Sequence, residues 1–231
     1  MKPVLIVSGT REDHASKTML HQSIGRLKTY GTRFKKQHKL KLHTNNTTAL
    51  STLYNQYITQ QIADDHGVVL FVHDDVYIDD IGCFDKIHTA IDAGIDIIGL
   101  AGANQARIKA PTLWHLMSDR QHWSGTVAHT LPNNQQMIMT TCFGPSPQRC
   151  LLLDGLFLAV NVSKALEVGW KFNEAFEFHH YDLSSCLDAN AKKMKLSTWS
   201  INVIHKSLGL WDYNGESFQK SEQKFLQLYA G

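Results

Sequence analysis

Gly67-Val68-Val69-Leu70-Phe71-Val72-His73-Asp74-Asp75 decides the reading of this chain. A glycine opens it, five apolar residues follow, and three polar residues stop it. Five residues suit a strand rather than a helix. An unbroken apolar run marks a strand covered on both faces, as at the centre of a parallel sheet. In open α/β sheets, ligands bind beyond the carboxyl ends of the strands. His73, Asp74 and Asp75 stand at such an end. Paired carboxylates there suit a hard cation such as Mg²⁺ or Mn²⁺ that also binds substrate phosphates. Asp is also common where strands simply turn into solvent, so the motif needs company.

Strands and helices alternate on both sides of this run. Residues 3–8 make a first strand closed by Gly9. A basic segment, 15–37, follows with Met19, Ile24 and Leu27 at helical spacing, and Leu40 and Leu42 mark a second strand. Thr47 or Thr48 is expected to cap a helix whose apolar stripe is Leu50, Leu53, Tyr54, Tyr57, Ile58 and Ile62. Beyond Asp75 come a helix near 84–93 and a strand near 95–100. Residues 104–135 lose the rhythm, with Trp114, Trp123 and Pro132 in a long connection, and loops of that length are functional or disordered. A second block starts at Cys150: a strand over 151–160, a helix over 181–194, a strand over 196–204 and an amphipathic helix over 216–229. The expected class is α/β, a mixed and mainly parallel sheet with helices on both faces.

The chain has 231 residues, enough for one domain with a sizeable core. Its formal net charge of +2 hides a split: residues 1–63 hold ten Lys/Arg against two Asp/Glu, while 64–231 hold thirteen against nineteen. Such a split hints at a polyanionic partner for the basic part and a metal for the acidic part. No apolar run approaches the ~20 residues of a membrane span, and no secretory signal is evident. Four scattered cysteines without a CxxC pair fit reduced thiols and a cytoplasmic location, and exclude a structural zinc site of that pattern.

Further polar residues interrupt apolar surroundings. Asp154-Gly155 sits between Leu151-Leu152-Leu153 and Leu156-Phe157-Leu158, and a carboxylate inside such a strand is expensive without partners. Asp182 falls in the first turn of the helix at 181–194. There the helix dipole favours its ionised form, although Asp also serves simply as an N-cap. His205 ends another strand, where a histidine beside a cation is a plausible ligand.

Taken together, Val68–Val72 with His73-Asp74-Asp75, then Leu153-Asp154-Gly155-Leu156, then Phe172-Asn173-Glu174-Ala175-Phe176 with Tyr181-Asp182, then Val203-Ile204-His205, resembles family 2 glycosyltransferases. The nearest flavour is the subgroup named for a streptomycin-biosynthesis protein, where a Tyr-Asn pair, here Tyr54-Asn55, precedes the strand. The resemblance implies a GT-A fold in one domain. Residues 1–103 would form a nucleotide-binding half, 104–149 a flexible loop region, and 150–231 an acceptor half. It implies a hexosyl- or pentosyltransferase using a nucleotide-sugar donor, UDP-linked, with Mn²⁺ or Mg²⁺. Asp75 would be the metal-binding end of the DxD motif, with His205 completing the site. Asp182 would be the general base of an inverting transfer. Ser8, Thr10, Arg11, Asn45, Asn46, His73 and Asp74 would hold the nucleotide sugar. Asp154 and Gly155 would lie where donor sugar and acceptor meet. Trp123, His179 and His180 would face the acceptor, with the 104–135 connection covering it.

The sequence departs from the family at three places. Tyr181 replaces the usual Glu before the base, His73 replaces the first Asp of the metal motif, and Asn45 or Asn46 stands for the Asp of uridine binders. These substitutions also fit a non-catalytic module of the same fold that binds nucleotides or nucleic acid. The seven cations between Arg26 and His43 point to nucleic acid, such as hydroxymethylated DNA, to an anionic lipid-linked glycan, or only to a solvated face.

Overall fold

The computed structural model describes residues 2–31, 36–131, 134–206 and 215–230. Arg33 and Lys35 of the basic cluster lie outside the described residues, as do Pro132 and residues 207–214. Strands are β1 Val4–Gly9, β2 His38–His43, β3 Val68–Val72, β4 Val76–Ile78, β5 Ile97–Gly99, β6 Ala101–Ala103, β7 Trp123–Leu131, β8 Asn134–Gly144, β9 Gln148–Arg149, β10 Leu152–Leu153, β11 Phe157–Asn161, β12 Leu196–Thr198 and β13 Val203–His205. Helices are α1 Met19–Thr29, α2 Leu50–Asn55, α3 Gln60–Asp65, α4 Cys83–Asp92, α5 Val162–Glu167, α6 Tyr181–Ala191 and α7 Glu216–Tyr229.

Two sheets form. The first runs β2-β1-β3-β11-β5-β12-β9, with all five residues of β3 buried at its centre. Its ladders β1–β2, β1–β3 and β5–β12 are parallel, while β3–β11, β11–β5 and β12–β9 are antiparallel. The second sheet runs β10-β6-β7-β13-β4, with β8 paired to β7, and only β7–β13 is parallel. The fold is mixed α/β as expected, but the parallel share is smaller than the alternation implied. In the first sheet the antiparallel ladders come from β11 at its centre and β9 at its edge.

Two expected single strands each divide between the sheets. Residues 151–160 become β10 in the second sheet and β11 in the first, with Asp154-Gly155 at the crossing. Asp154 is therefore not inside a strand, and its carboxylate finds partners in Trp114 Nε1 and Leu156 N. Likewise 196–204 splits into β12 and β13, which sends His205 to the second sheet. The long connection is not a loop throughout. Within the region expected to be flexible, β7 and β8 form a hairpin with register shifts near Gly125 and Thr130. Those irregularities blur the period-2 pattern by which strands are read.

Aromatic packing ties the halves together. Tyr54 of α2 meets Phe71 of β3 at 4.7 Å, Phe71 meets Phe172 at 5.0 Å, and Phe172 meets Tyr181 of α6 at 6.0 Å. The neighbouring Asn55 clamps the 172–174 turn: it donates to Phe172 O and Glu174 Oε1 and accepts from Phe172 N. The stripe over 50–62 is broken into α2 and α3, the second capped by the Thr59 hydroxyl. Neither Thr47 nor Thr48 caps α2, whose N-cap is Ala49, because Asn46 Oδ1 holds Thr48 N and turns that segment first.

Candidate active site

The carboxyl ends of β1, β2 and β3 open into a cavity of about 970 Å³. Thr10, Arg11, Asn45, Asn46, His73, Asp74 and Asp75 all line it. Ser8, expected here, does not: it is fully buried on β1, paired with Leu42, and its Oγ has no hydrogen-bond partner. Gly9 takes the lining position instead. A Cβ on Gly9 would stand 2.9 Å from the Asn46 side chain and 2.9 Å from Leu53 Cδ2, so a larger residue there would have to displace those two side chains. Asn46 N donates to Thr10 O, and Asn45 N donates to Glu12 O. The Asn46 side chain is engaged with Thr48 N and O, while Asn45 adopts a left-handed backbone at φ 50°.

At the inner end, His73, Asp75 and His205 bring one ligand atom each within 4.8 Å of one another. His205 Nε2 lies 3.3 Å from Asp75 Oδ1, an ion-pair distance without hydrogen-bond geometry, so that buried oxygen has no hydrogen-bond partner. Burial pushes Asp75 up, but the contact and charge of His205 outweigh it and hold the carboxyl below its usual value. His205 moves the other way: burial lowers it, and Asp75 raises it further than burial lowers it. His73 is lowered, chiefly by burial. An orphaned carboxylate oxygen between two imidazoles is a donor set that fits a divalent ion. Two nitrogens favour a transition ion such as Mn²⁺ over Mg²⁺, which prefers oxygen. His73, expected to hold the donor, lines that cavity and also stands beside Asp75 and His205.

Tyr181, which replaces the family's usual Glu, contacts this cluster. Its hydroxyl donates to Gly155 O at 2.8 Å and lies 3.0 Å from His73 Nε2. A phenol has one proton, so the hydroxyl accepts from His73 and fixes the proton on Nε2. The other ring nitrogen, Nδ1, is left with its lone pair.

A second cavity, about 350 Å³, shares His73, Phe178 and His205 with the first. Asp182, Asp154, Gly155, Trp123, His179 and His180 line it. Asp182 sits in the first turn of α6 as expected, with Oδ1 accepting from Leu183 N and Oδ2 from Gly155 N. The expectation that the helix dipole keeps it readily ionised does not hold. Burial, then the Asp154 charge, outweigh these bonds and push Asp182 up to about 7. Asp154 is anchored by Trp114 Nε1 at 3.0 Å and Leu156 N at 3.0 Å. Gly155 is obligatory, since a Cβ would lie 2.6 Å from Tyr181 Oη and 2.8 Å from Asp182 Cβ.

The crossing between the sheets is held by three consecutive amides. Asp154 N donates to Ala101 O, Gly155 N to Asp182, and Leu156 N to Asp154 Oδ1.

His180, the N-cap of α6 at φ 64°, is buried with Nε2 on Thr112 Oγ1 and Nδ1 on Ser221 Oγ. Burial lowers it to about 4. Both nitrogens are spent on the protein, so His180 closes the wall and is not available to a ligand. Phe178, His115, Phe143 and His129, which no sequence pattern singles out, also line the second cavity. Trp114 and Phe143 pack edge-to-face with Trp123, at 5.8 and 6.2 Å between centroids. Only the need of Asp154 for a partner could have pointed to Trp114.

No curated protein sequence matches this chain. Among solved structures, the catalytic domain of Drosophila β1,4-galactosyltransferase 7 in complex with xylobiose aligns at TM-score 0.51 and 8% identity, over 86% of this chain and 65% of that one. S. aureus TarS 1–349 in complex with UDP-GlcNAc aligns at TM-score 0.48 and 15% identity, over 95% of this chain and 61% of that one. A197 from STIV aligns at TM-score 0.49 and 9% identity, over 86% and 82%. The chain thus spans less than two thirds of the galactosyltransferase and of the TarS structures. The galactosyltransferase alignment shows a shared fold, that of the GT-A enzymes. The family described as "Glycosyltransferase like family" matches residues 38–229, from β2 to the end of α7, and the chain belongs to that family.

Proposed function

We propose that the protein moves a sugar from a nucleotide-sugar donor, UDP-linked in the first instance, to an acceptor hydroxyl with inversion at the anomeric carbon. The observation that carries this reading is the meeting of two cavities at one wall. The larger is lined by strand-end loops and the His73–Asp75–His205 cluster; the smaller is lined by a half-buried carboxylate near neutrality. Residues 1–103 supply most of the first cavity, and 104–149 with 150–231 supply most of the second. This supports a donor half and an acceptor half in one domain.

The charge of the donor cavity supports a cation. Among its described lining residues Arg11 faces Glu12, Asp74, Asp75 and Glu177, so a bare diphosphate would meet net repulsion. Asp75, His205 and His73 would hold Mn²⁺, or less favourably Mg²⁺. When bound, the ion would neutralise charge on the diphosphate as it leaves. Asp182 takes the acceptor's proton as the new bond forms, and no enzyme nucleophile intervenes, which is why the configuration inverts. Asp154, fixed by Trp114, and Gly155 position that base. Arg11, Thr10 and Asn45 face the nucleotide, and Asp74 flanks the cluster. The test is release of nucleoside diphosphate from a panel of sugar nucleotides, with and without chelator. Turnover abolished by EDTA and restored by Mn²⁺ is expected; turnover indifferent to both overturns the metal assignment.

A further inference from the structure

Lys28, Lys36, Lys39 and Lys41 are exposed, and none of them lines either cavity. Among the described residues none of the four is in an ion pair. Three contacts stitch their segments together. Arg26 of α1 meets Asp79 Oδ1 at 2.7 Å, Gln37 Nε2 donates to Asp85 Oδ1 of α4 at 2.8 Å, and His38 of β2 stacks on Phe84 at 4.7 Å. The end of α1, the start of β2 and the turn between β4 and α4 therefore share one side of the molecule. The carboxylates there are engaged: Asp79 with Arg26, Asp80 with Lys86 and Asp85 with Gln37. Two large apolar side chains stand among these cations, Tyr30 at 49% exposure after α1 and Ile81 at 50% before α4.

The strand β2 is the edge of the first sheet. Side chains alternate along it, so Lys39 and Lys41 take the face opposite His38. A flat surface meeting this edge end-on would thus find cations on both sides: Lys28 and Lys36 on one, Lys39 and Lys41 on the other. Lysines on an edge strand also discourage pairing with other chains. That accounts for Lys39 and Lys41, but not for Lys28, Lys36 or the exposed Tyr30 and Ile81.

We propose that this edge docks the protein on the head groups of an anionic lipid bilayer, with the four lysines over the charge and Tyr30 and Ile81 entering the interface. Charge complementarity selects the anionic partner, each cation near such a surface strengthening partitioning about fivefold. The apolar side chains select lipid over nucleic acid, whose phosphates offer nothing to Ile81. Tyr30 and Ile81 line neither cavity, so docking is separable from the chemistry.

The test is co-sedimentation of the full chain with vesicles of phosphatidylcholine alone, and with about 30% phosphatidylserine, at about 0.15 M salt. Binding is expected only with phosphatidylserine. Lys28→Gln/Lys36→Gln and Lys39→Gln/Lys41→Gln should each lower the partition coefficient about 25-fold. Lys39→Arg/Lys41→Arg should retain it, as should Lys192→Gln/Lys193→Gln, which removes the same charge at the exposed end of α6. Binding indifferent to phosphatidylserine, or lost equally in the α6 variant, overturns the proposal. Ile81→Ser should weaken binding severalfold at the same salt. Unchanged binding by that variant, or displacement from the vesicles by duplex DNA at equal phosphate concentration, would assign the edge to polyanions in general and overturn the lipid reading.

Discussion

Asp182 is pulled two ways, and the balance sets a pH dependence. Two backbone N–H groups favour its anion, while burial and Asp154 favour the acid, leaving it at about 7 instead of 3.8. A base must be ionised to accept a proton, so the turnover rate is expected to rise with pH through about 7 and level off above it. Stability runs the opposite way. With the folded value raised, this group's contribution is complete below the unfolded 3.8 and is lost as pH rises through about 7. Asp182→Asn should lower turnover by roughly 10²–10⁴-fold. It should also flatten the pH–rate profile and leave nucleoside diphosphate binding intact. A variant that keeps the profile of the parent would remove Asp182 from the base role. Tyr181→Phe tests the neighbouring assignment. It deletes the acceptor that fixes the His73 tautomer, and loss of such a support typically weakens metal affinity by about 10–100-fold. Calorimetric titration with Mn²⁺ reads it directly, and unchanged affinity would dissociate Tyr181 from the cluster.

At the scale of elements, α6 and the turn before it are held from both sides. Asn55 on α2 makes three hydrogen bonds to the 172–174 turn, and His180 bridges Thr112 to Ser221 on α7. Asn55→Ala would orphan the backbone of Phe172. Its expected cost is about 1–3 kcal/mol, read as a shift in the denaturant midpoint. Phe225 on α7 is fully buried, stacked on His180 at 5.2 Å and edge-on to Phe176 at 6.0 Å. Phe225→Ala should cost about 3–5 kcal/mol. If the melting temperature barely moves, α7 is an appendage and not part of the core. These contacts explain what the sequence could and could not tell. The strand over 68–72 and the helix over 216–229 were legible because their apolar patterns are complete within a single element. Asp154, Trp114 and the β7–β8 hairpin were not. Asp154 looked buried in a strand because the apolar residues on its two sides serve different sheets. Trp114 gains its meaning from a carboxylate forty residues away.

At the scale of the molecule, two sheets meet over the shared wall of two cavities. That arrangement was beyond the alternation of strands and helices, since it depends on where strands break. Most residues expected at the site line one of the two cavities, since each stands at an element end where polarity interrupts an apolar run. Ser8 is buried in β1 outside both cavities, and both ring nitrogens of His180 are spent on Thr112 and Ser221. Filling the donor cavity should stabilise the whole molecule. UDP at 100 times its dissociation constant, in the presence of Mn²⁺, should add about 2.7 kcal/mol. A rise in melting temperature that needs both UDP and Mn²⁺ checks this, and a rise with UDP alone would argue for a metal-free site.

The crossing at Asp154-Gly155 has the outline of a loop and the bonding of a strand. Amides 154, 155 and 156 each have a protein partner, and Leu156 O accepts from His73 N. Loops normally trade their amide hydrogens with solvent quickly, through small local openings. Here freeing amide 154 must separate the turn from β6, and freeing amide 155 must release Asp182, while amide 156 needs only a turn of the Asp154 side chain. In deuterated water the first two should therefore retain their protons far longer than the third, making this short turn a pair of slow clocks beside a faster one.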